Sequence, residues 1–287
     1  MDWQQILFPV DFSERSTAAA KYVTAMADLF DAKVALLHVV EDPLGWYGST
    51  NPEKVVEVDL PKVLREAEDS LKSFAAAQLP SANVEVVTDF GSPLEGIQKA
   101  ARTLHADLIM MATHGRGPFR AALLGSVTAK VLHDSPVPVW TEVHEEDPSK
   151  SHLPIKKLAC AIDLGPESVN VIRFAMDFAN RCGAEMFVVH GVPVAEMSLG
   201  QYSGIEPPLY MEDFARAEIE KIQREAGSSV KVWTEGNPIP SVVRRAALEW
   251  NADLTIIGRE GARHLGGGLT GHAYSIIREA PCPVLSL

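Results

Sequence analysis

The chain has 287 residues, of which 46% are hydrophobic and 22% charged, and its formal net charge is −12. This composition is typical of an ordinary globular protein, and the length suits two domains of about 140 residues each. The acidic balance disfavours non-specific binding to nucleic acid, which requires a basic surface. No apolar run reaches the roughly 20 residues that span a bilayer and no signal sequence precedes Ile6, so we expect a cytoplasmic protein without membrane contact. The three cysteines, Cys160, Cys182 and Cys282, are widely spaced, which predicts reduced thiols and no metal site.

Apolar runs alternate with amphipathic stretches along the first half of the chain. The runs predict strands at residues 5–10, 33–40, 83–89, 108–111 and 137–143. The amphipathic stretches predict helices that begin near Ser13, Val63, Pro93 and Gly125. Nearly all-apolar strands that alternate with helices indicate a parallel sheet covered on both faces, which is a doubly wound, Rossmann-like α/β fold. The connection at residues 41–61 is longer than most, and we expect it to form a lid or a contact surface.

The second half repeats this order of elements, so the chain reads as a tandem duplication. Asp163 falls where Asp11 does, and the strand entry Ala106-Asp107-Leu108 returns as Ala252-Asp253-Leu254. Both halves therefore carry the same unit, including an aspartate directly after the first strand.

A polar, proline-containing stretch at residues 144–152 has the composition of a linker. We therefore predict two domains, 1–146 and 153–287. The second domain also contains a long loop, at residues 194–210. The last strand of each half is expected at a sheet edge, where it could pair with another strand.

The stretch at residues 108–127 carries the first indication of function. A buried strand ends in a basic loop that contains Gly115 and Arg116, and a helix begins after Gly125 and Ser126. Glycines let the backbone approach a ligand closely, and the N–H groups and dipole of a helix start favour an anion. The stretch therefore predicts a phosphate-binding loop; the alternative is a tight loop that only packs the helix.

Three segments of the first half are expected to meet in one crevice. Asp11, the loop after Val39 and the loop at residues 115–126 all follow strand ends. Ligands of doubly wound sheets bind at the carboxyl ends of the strands, where the strand order reverses. The convergence of the three segments is a stronger indication of a site than any one of them.

Four polar residues of these segments have a structural alternative. Asp11 and Asp163 could cap the first helix of their halves instead of binding a ligand. His38 and His190 lie within apolar strands, which favours core histidines with satisfied hydrogen bonds over ligand-binding residues.

These features resemble the universal stress protein family, and the resemblance covers almost the whole chain as a tandem pair. The family signature is G-x2-G-x9-G-[S/T], adjoining a buried strand and leading into a helix. The signature appears as Ala112-x2-Gly115-x9-Gly125-Ser126 in the first half and as Gly258-x2-Gly261-x9-Gly271-His272 in the second. The resemblance implies a five-stranded parallel α/β sheet in each domain, and signature-bearing members of the family bind ATP or related adenine nucleotides.

The resemblance also implies roles for individual residues of the first domain. It places adenine and ribose near Pro9, Val10, Asp11, Val39 and Met111. It assigns the phosphates to backbone N–H groups and hydroxyls of Gly115, Arg116, Gly125, Ser126, Val127 and Thr128. Ala112 stands where the signature has its first glycine, which adds a methyl group beside the ribose.

A second site would comprise Ala161, Ile162, Asp163, Gly258, Gly261, Gly271 and His272. His272 is bulkier than the serine of the signature, and Glu260 places a negative charge in the phosphate loop. Gly191, where the first half has Val39, removes an apolar wall. Arg259 argues for a ligand, so the occupancy of the second site stays open.

The leading hypothesis is a stress-response protein that binds ATP, ADP or AMP, with or without Mg²⁺, and acts as a sensor or regulator through a protein partner. The alternatives are an interaction scaffold with degenerate crevices and a weak ATPase. The P-loop pattern G-x4-G-K-[ST] and the G-x-S-x-G elbow are absent, so a dedicated enzyme is not expected. The resemblance implies that the halves pair as an internal pseudo-dimer, and it is compatible with a homodimer. The sequence does not specify the preferred nucleotide, the trigger or the partner.

Overall fold

The computed structural model describes residues 1–41, 59–113, 124–142, 151–192, 207–259 and 271–287. These residues divide into two compact units, Asp2–Trp140 and Thr141–Leu287, with Met1 assigned to the second. The predicted boundaries at 146 and 153 stay a prediction, because most of the linker lies outside the described residues.

Each unit alternates strands and helices in the predicted order. The first contains β1 (Gln5–Pro9), α1 (Glu14–Phe30), β2 (Lys33–Val40), α2 (Leu60–Gln78), β3 (Val84–Phe90), α3 (Pro93–Thr103), β4 (Leu108–Met111), α4 (Ser126–Asp134) and β5 (Val139–Thr141). The second contains β6 (Lys157–Ala161), α5 (Ser168–Cys182), β7 (Glu185–Val192), α6 (Pro207–Ala226), β8 (Lys231–Gly236), α7 (Ile239–Trp250), β9 (Leu254–Ile257), α8 (Gly271–Glu279) and β10 (Val284–Ser286). The α/β architecture predicted from the sequence is confirmed.

The strand order is β3-β2-β1-β4-β5 in the first unit and β8-β7-β6-β9-β10 in the second. The strand pairs whose register is described are all parallel. In each unit the chain runs outward from the central strand on one side and then returns to its other side. The order therefore reverses between β1 and β4 and between β6 and β9, which is where a doubly wound sheet binds ligands.

An aspartate fixes the start of the central strand in both units. Asp107 Oδ2 accepts hydrogen bonds from the backbone N–H groups of Gln4 at 2.7 Å and Gln5 at 2.9 Å. Asp253 Oδ2 does the same for residues 156 and 157, at 2.8 Å and 2.9 Å. The repeated Ala-Asp-Leu strand entry thus has a structural role, because it joins the start of β4 to the start of β1 in the first unit and the start of β9 to the start of β6 in the second.

The core lies on both faces of each sheet. Phe8 and Phe30 are fully buried in the first unit, and Phe178 and Phe187 are fully buried in the second. The outer strands β3 and β8 are partly exposed along their length, unlike the central strands. The prediction of strands covered on both faces therefore holds for the centre of each sheet and not for these outer strands.

Strand β5 is shorter than the predicted strand at 137–143. The hydroxyl of Ser135 donates to the Val137 carbonyl at 2.8 Å and accepts from the Val137 N–H at 3.2 Å. This local turn uses the polar groups that a strand would pair, and Pro138 has no N–H to donate. Residue 143 lies outside the described residues.

Candidate functional site

The candidate crevice of the first unit lies at the carboxyl ends of β1 and β4, which are adjacent parallel strands. Pro9 ends β1, and Val10 continues along β2, where its N–H donates to the Leu37 carbonyl at 2.8 Å. On the other side, Met111 ends β4 and is buried. The fold therefore brings these predicted residues to one edge of the sheet.

Asp11 occupies a turn that the surrounding residues hold in place. Its Oδ1 accepts hydrogen bonds from the Ser13 N–H at 3.1 Å and from the Ser16 hydroxyl at 2.6 Å. Phe12, between them, has a φ of 59°, a left-handed conformation that costs an L-residue roughly 1–2 kcal/mol. Backbone strain of this kind persists only where the neighbouring structure fixes it, and it concentrates at functional sites.

Neither aspartate of the repeated position is a helix cap. The N-cap of α1 is Ser13, whose side chain accepts from the Ser16 N–H, and the N-cap of α5 is Glu167. Asp163 instead accepts hydrogen bonds from the Gly165 N–H at 2.8 Å and the Ser168 hydroxyl at 3.3 Å. Both carboxylates therefore stabilise the turn ahead of the helix, at the end of the central strand.

Both strand histidines are satisfied within the fold, as predicted. His38 Nδ1 lies 2.8 Å from the Val10 carbonyl, and His190 Nδ1 lies 2.8 Å from the Ile162 carbonyl. The His38 ring also packs against Phe12, with 4.6 Å between ring centroids. Each histidine anchors the residue just before the aspartate and so helps to set the direction of the turn.

The start of α4 is joined to the end of β4 by two hydrogen bonds. The Gly125 N–H donates to the Thr113 carbonyl at 2.9 Å, and the Thr128 hydroxyl donates to the Ala112 carbonyl at 3.1 Å. These two donors, which the family resemblance assigned to phosphate, are therefore engaged within the protein.

Three other donors at this helix start have no acceptor in the described ranges. The N–H groups of Ser126, Val127 and Thr128 donate to none of the described residues, and Gly125 has no side chain to cap them. The first turn of α4 contains no acidic residue. N–H groups without an acceptor at the positive end of a helix favour an anion, and among the described residues these three have none.

Thr113 was not among the residues selected from the sequence. It is 2% exposed, and within the described structure its hydroxyl is buried without a hydrogen-bond partner. Leaving a buried hydroxyl unsatisfied costs about 1–3 kcal/mol, so such a group needs an explanation. No sequence pattern identifies it, because threonine after a strand is ordinary.

Two apolar residues that the resemblance assigned to the site are buried in the first unit. Val39 and Ala112 are largely buried, and Val39 packs against α3 at Gly96, where a β-carbon would lie 2.6 Å from Val39 Cγ2. Gly115 and Arg116, which the sequence assigned to phosphate, lie outside the described residues.

The corresponding place in the second unit is filled differently. A β-carbon at Gly191 would lie 2.8 Å from the Cα of Ile239 and 3.1 Å from its Cγ1. The sequence predicted that Gly191, in place of Val39, removes an apolar wall. The structure shows that this space is not left open. The start of α7 takes up the space, and Ile239 supplies the apolar atoms.

The other described residues predicted for the second site lie at the ends of β6 and β9 and at the start of α8. Ala161 ends β6, Ile162 is buried beside it, and His272 is exposed in the first turn of α8, which begins at Gly271. Gly258 directly follows β9. Gly261 and Glu260 lie outside the described residues, as does most of each long loop, at 41–61 and 194–210.

Burial lowers the pKa of His190, against the weaker opposing effects of its hydrogen bond to the Ile162 carbonyl and of the Asp163 charge. The unfolded chain takes up a proton on this residue below about pH 6.5, where the native state still excludes it. Stability should therefore fall as the pH drops below about 6.5 towards the native-state pKa. We expect the His190→Asn variant, whose amide can replace the Nδ1 donor, to lose less stability than wild type between pH 7.5 and 5.5. Thermal unfolding across this range measures the difference, and equal slopes for the two proteins would contradict it.

Neither a metal-ligand cluster nor a membrane-spanning helix occurs within the described ranges. No group of three or more His, Cys, Asp or Glu side chains in these ranges could hold a metal ion. Among the helices described, none combines the length and the apolar character needed to cross a membrane.

Comparison with known proteins identifies the family. The model of the "Universal stress protein family" matches residues 2–141 and again residues 154–287. The chain belongs to the universal stress protein family. Both the resemblance drawn from the sequence and the tandem arrangement are thereby confirmed.

Individual members of the universal stress protein family match either the whole chain or one unit. Universal stress protein Rv2005c of Mycobacterium tuberculosis is 25% identical over 308 residues, covering 98% of this chain and 95% of its own. Universal stress protein MJ0577 of Methanocaldococcus jannaschii is 31% identical over 150 residues, covering 48% of this chain and 93% of its own. A universal stress protein structure from Archaeoglobus fulgidus superposes with a TM-score of 0.67 at 23% identity, covering 98% of this chain and 97% of its own, which supports the fold.

Proposed function

We propose that the first unit binds an adenine nucleotide at the carboxyl ends of β1 and β4, and that the protein acts as a nucleotide-dependent sensor or regulator in the stress response. The observation that carries the proposal is the start of α4. Its first three N–H groups have no acceptor in the described part of the chain, and the hydrogen bonds of Gly125 and Thr128 hold them beside β4. This arrangement suits the phosphates of a nucleotide.

The other side of the same crevice suits a nucleoside. Val39 and Met111 offer largely buried apolar surfaces, and a planar base buries well against such walls. The Asp11 carboxylate is held at the strand end by Ser13 and Ser16, and carboxylate oxygens accept hydrogen bonds from ribose hydroxyls. A base, a ribose and a phosphate chain therefore each have a complementary group within the proposed site.

We propose that the second unit does not bind adenine in the corresponding place. The proposal rests on Ile239, which fills the space beside Gly191 and so leaves no room there for a base. The second unit would then have a role other than nucleotide binding. For this unit alone, we retain the alternative of an interaction scaffold with a degenerate crevice.

The direct test is calorimetric titration of the full chain with ATP and Mg²⁺. We expect one ATP per chain, and an increase in melting temperature with ATP concentration because the ligand binds the native state. The absence of both heat and stabilisation at millimolar ATP would contradict the proposed function. Two equivalent sites per chain would contradict only the proposal that the second unit does not bind adenine.

Asp11→Asn should weaken ATP binding by about tenfold, because hydrogen bonds to a charged acceptor contribute roughly 1.5–3 kcal/mol. The substitution keeps an Oδ1 acceptor for Ser13 and Ser16, so the turn should survive. Asp163→Asn is the matched control, since its carboxylate holds the equivalent turn of the second unit. Titration of both variants should show the loss in Asp11→Asn alone. Equal affinities in the two variants would remove Asp11 from the proposed site.

A further inference from the structure

The Thr113 hydroxyl stands out among the polar groups near the crevice. Its neighbours are satisfied: the Thr113 carbonyl accepts from Gly125, and the Thr128 hydroxyl donates to Ala112. The Thr113 hydroxyl itself is buried and has no partner in the part of the chain that the structure describes. A hydroxyl can donate one hydrogen bond and accept two, and burial without any of them destabilises the protein.

The position of Thr113 relates this hydroxyl to the ligand proposed above. Thr113 lies two residues after the end of β4, and its own carbonyl holds the N-cap of α4. The hydroxyl is therefore carried by the same short segment that positions the first three N–H groups of α4. Within the described residues, these donors and the hydroxyl have no partners, and all belong to the junction of β4 and α4.

We propose that Thr113 is a ligand-binding residue of the first unit, whose hydroxyl donates to an oxygen of the bound anionic ligand. This inference rests on the proposed function and adds a residue that lies between Ala112 and Gly115 of the signature stretch. The hydroxyl, which has no partner among the described residues, gains one in the complex. The ligand thus removes the free-energy cost of a buried hydroxyl without a hydrogen bond.

The second unit differs at this position. Arg259 is the counterpart of Thr113, and its N–H and Nε both donate to the Leu287 carbonyl, at 3.2 Å and 2.9 Å. The segment after β9 therefore carries an arginine that bonds to the end of the chain, where the first unit carries a buried hydroxyl. The difference agrees with a ligand in the first unit.

The test compares Thr113→Val, which replaces the hydroxyl by a methyl group of similar size, with Thr113→Ser, which keeps the hydroxyl. Without ligand, Thr113→Val should melt about 2 °C higher than wild type, because an unsatisfied buried hydroxyl is removed. With ATP and Mg²⁺, the same variant should bind about tenfold more weakly, while Thr113→Ser should stay within about twofold of wild type. A residue with only a structural role would not raise stability and lower affinity together.

Thr255→Val is the control for removing a buried hydroxyl elsewhere. Thr255 is fully buried on β9, and its hydroxyl already contacts Cys282 Sγ at 3.2 Å. This variant should melt lower than wild type and bind ATP unchanged. If Thr113→Val fails to fold, Thr113→Ala removes the same hydroxyl without filling its place.

The outcomes separate the two proposals. Wild-type affinity in Thr113→Val or Thr113→Ala, with ATP bound normally by the wild type, overturns the role of Thr113 and leaves the proposed function intact. A lower melting temperature of ligand-free Thr113→Val also overturns it, because the hydroxyl would then have a structural partner. Absence of ATP binding by the wild type overturns the proposed function itself.

Discussion

Ser126→Glu should reduce the ATP affinity of the first unit roughly 100-fold without destabilising the protein. Ser126 is the first residue of α4 and is exposed, so the larger side chain meets no packing constraint. A carboxylate there competes for the helix N–H groups that the phosphates would use. Like charges about 5 Å apart also repel by roughly 3 kcal/mol at an effective dielectric constant of about 20.

The same substitution should favour the helix. A negative charge in the first turn interacts favourably with the helix dipole, by about 0.3–1 kcal/mol. We therefore expect an equal or higher melting temperature for Ser126→Glu without ligand, together with the loss of calorimetric binding. These opposite signs distinguish a binding defect from a folding defect.

Two controls define the Ser126→Glu experiment. Ser126→Gln has nearly the same size without the charge and should lose only a few-fold in affinity. His272→Glu places the charge at the corresponding helix start of the second unit and should leave ATP affinity unchanged. A 100-fold loss in His272→Glu would move the proposed site to the second unit. Wild-type affinity in Ser126→Glu would exclude the start of α4 as the phosphate site.

Gly191→Val should destabilise the second unit by about 3 kcal/mol, at the upper end of the usual cost of overpacking. The first added atom would lie 2.8 Å from the Cα of Ile239, which is backbone and cannot rotate away. Either α7 or the end of β7 has to shift. Urea unfolding followed by circular dichroism measures the loss.

The clash at Gly191 also predicts the effect of a smaller side chain. Because the β-carbon itself makes the contact, Gly191→Ala should already show most of the loss. Ile239→Gly in the Gly191→Val background should restore stability only in part, because the Cα of residue 239 remains. A neutral Gly191→Ala would contradict the close packing of α7 on β7.

Local patterns were sufficient to predict the order of elements and several of their contacts. Apolar runs identified the strands, and the repeated Ala-Asp-Leu entry is explained by the hydrogen bonds of Asp107 and Asp253. The interpretation of His190 as a core histidine with a satisfied hydrogen bond is confirmed, and His38 makes the equivalent hydrogen bond although it is only half-buried.

Features that depend on distances between elements could not be predicted in this way. The sequence does not reveal that the Thr128 hydroxyl binds the Ala112 carbonyl, because this contact forms only when α4 packs against β4. The unsatisfied hydroxyl of Thr113 is hidden for the same reason. Likewise, the sequence does not reveal that Ile239 fills the space beside Gly191, because this contact depends on how α7 packs on β7.

The turn at Asp11 has a consequence for how a ligand would be received. Folding alone places Phe12 in its left-handed conformation and fixes the carboxylate through Ser13 and Ser16. A ligand that reaches Asp11 therefore meets a preorganised acceptor and has no ordering entropy to overcome on that side. Sequence changes that loosen this turn would therefore lower stability as well as disturb the acceptor, because the same hydrogen bonds from Ser13 and Ser16 hold both.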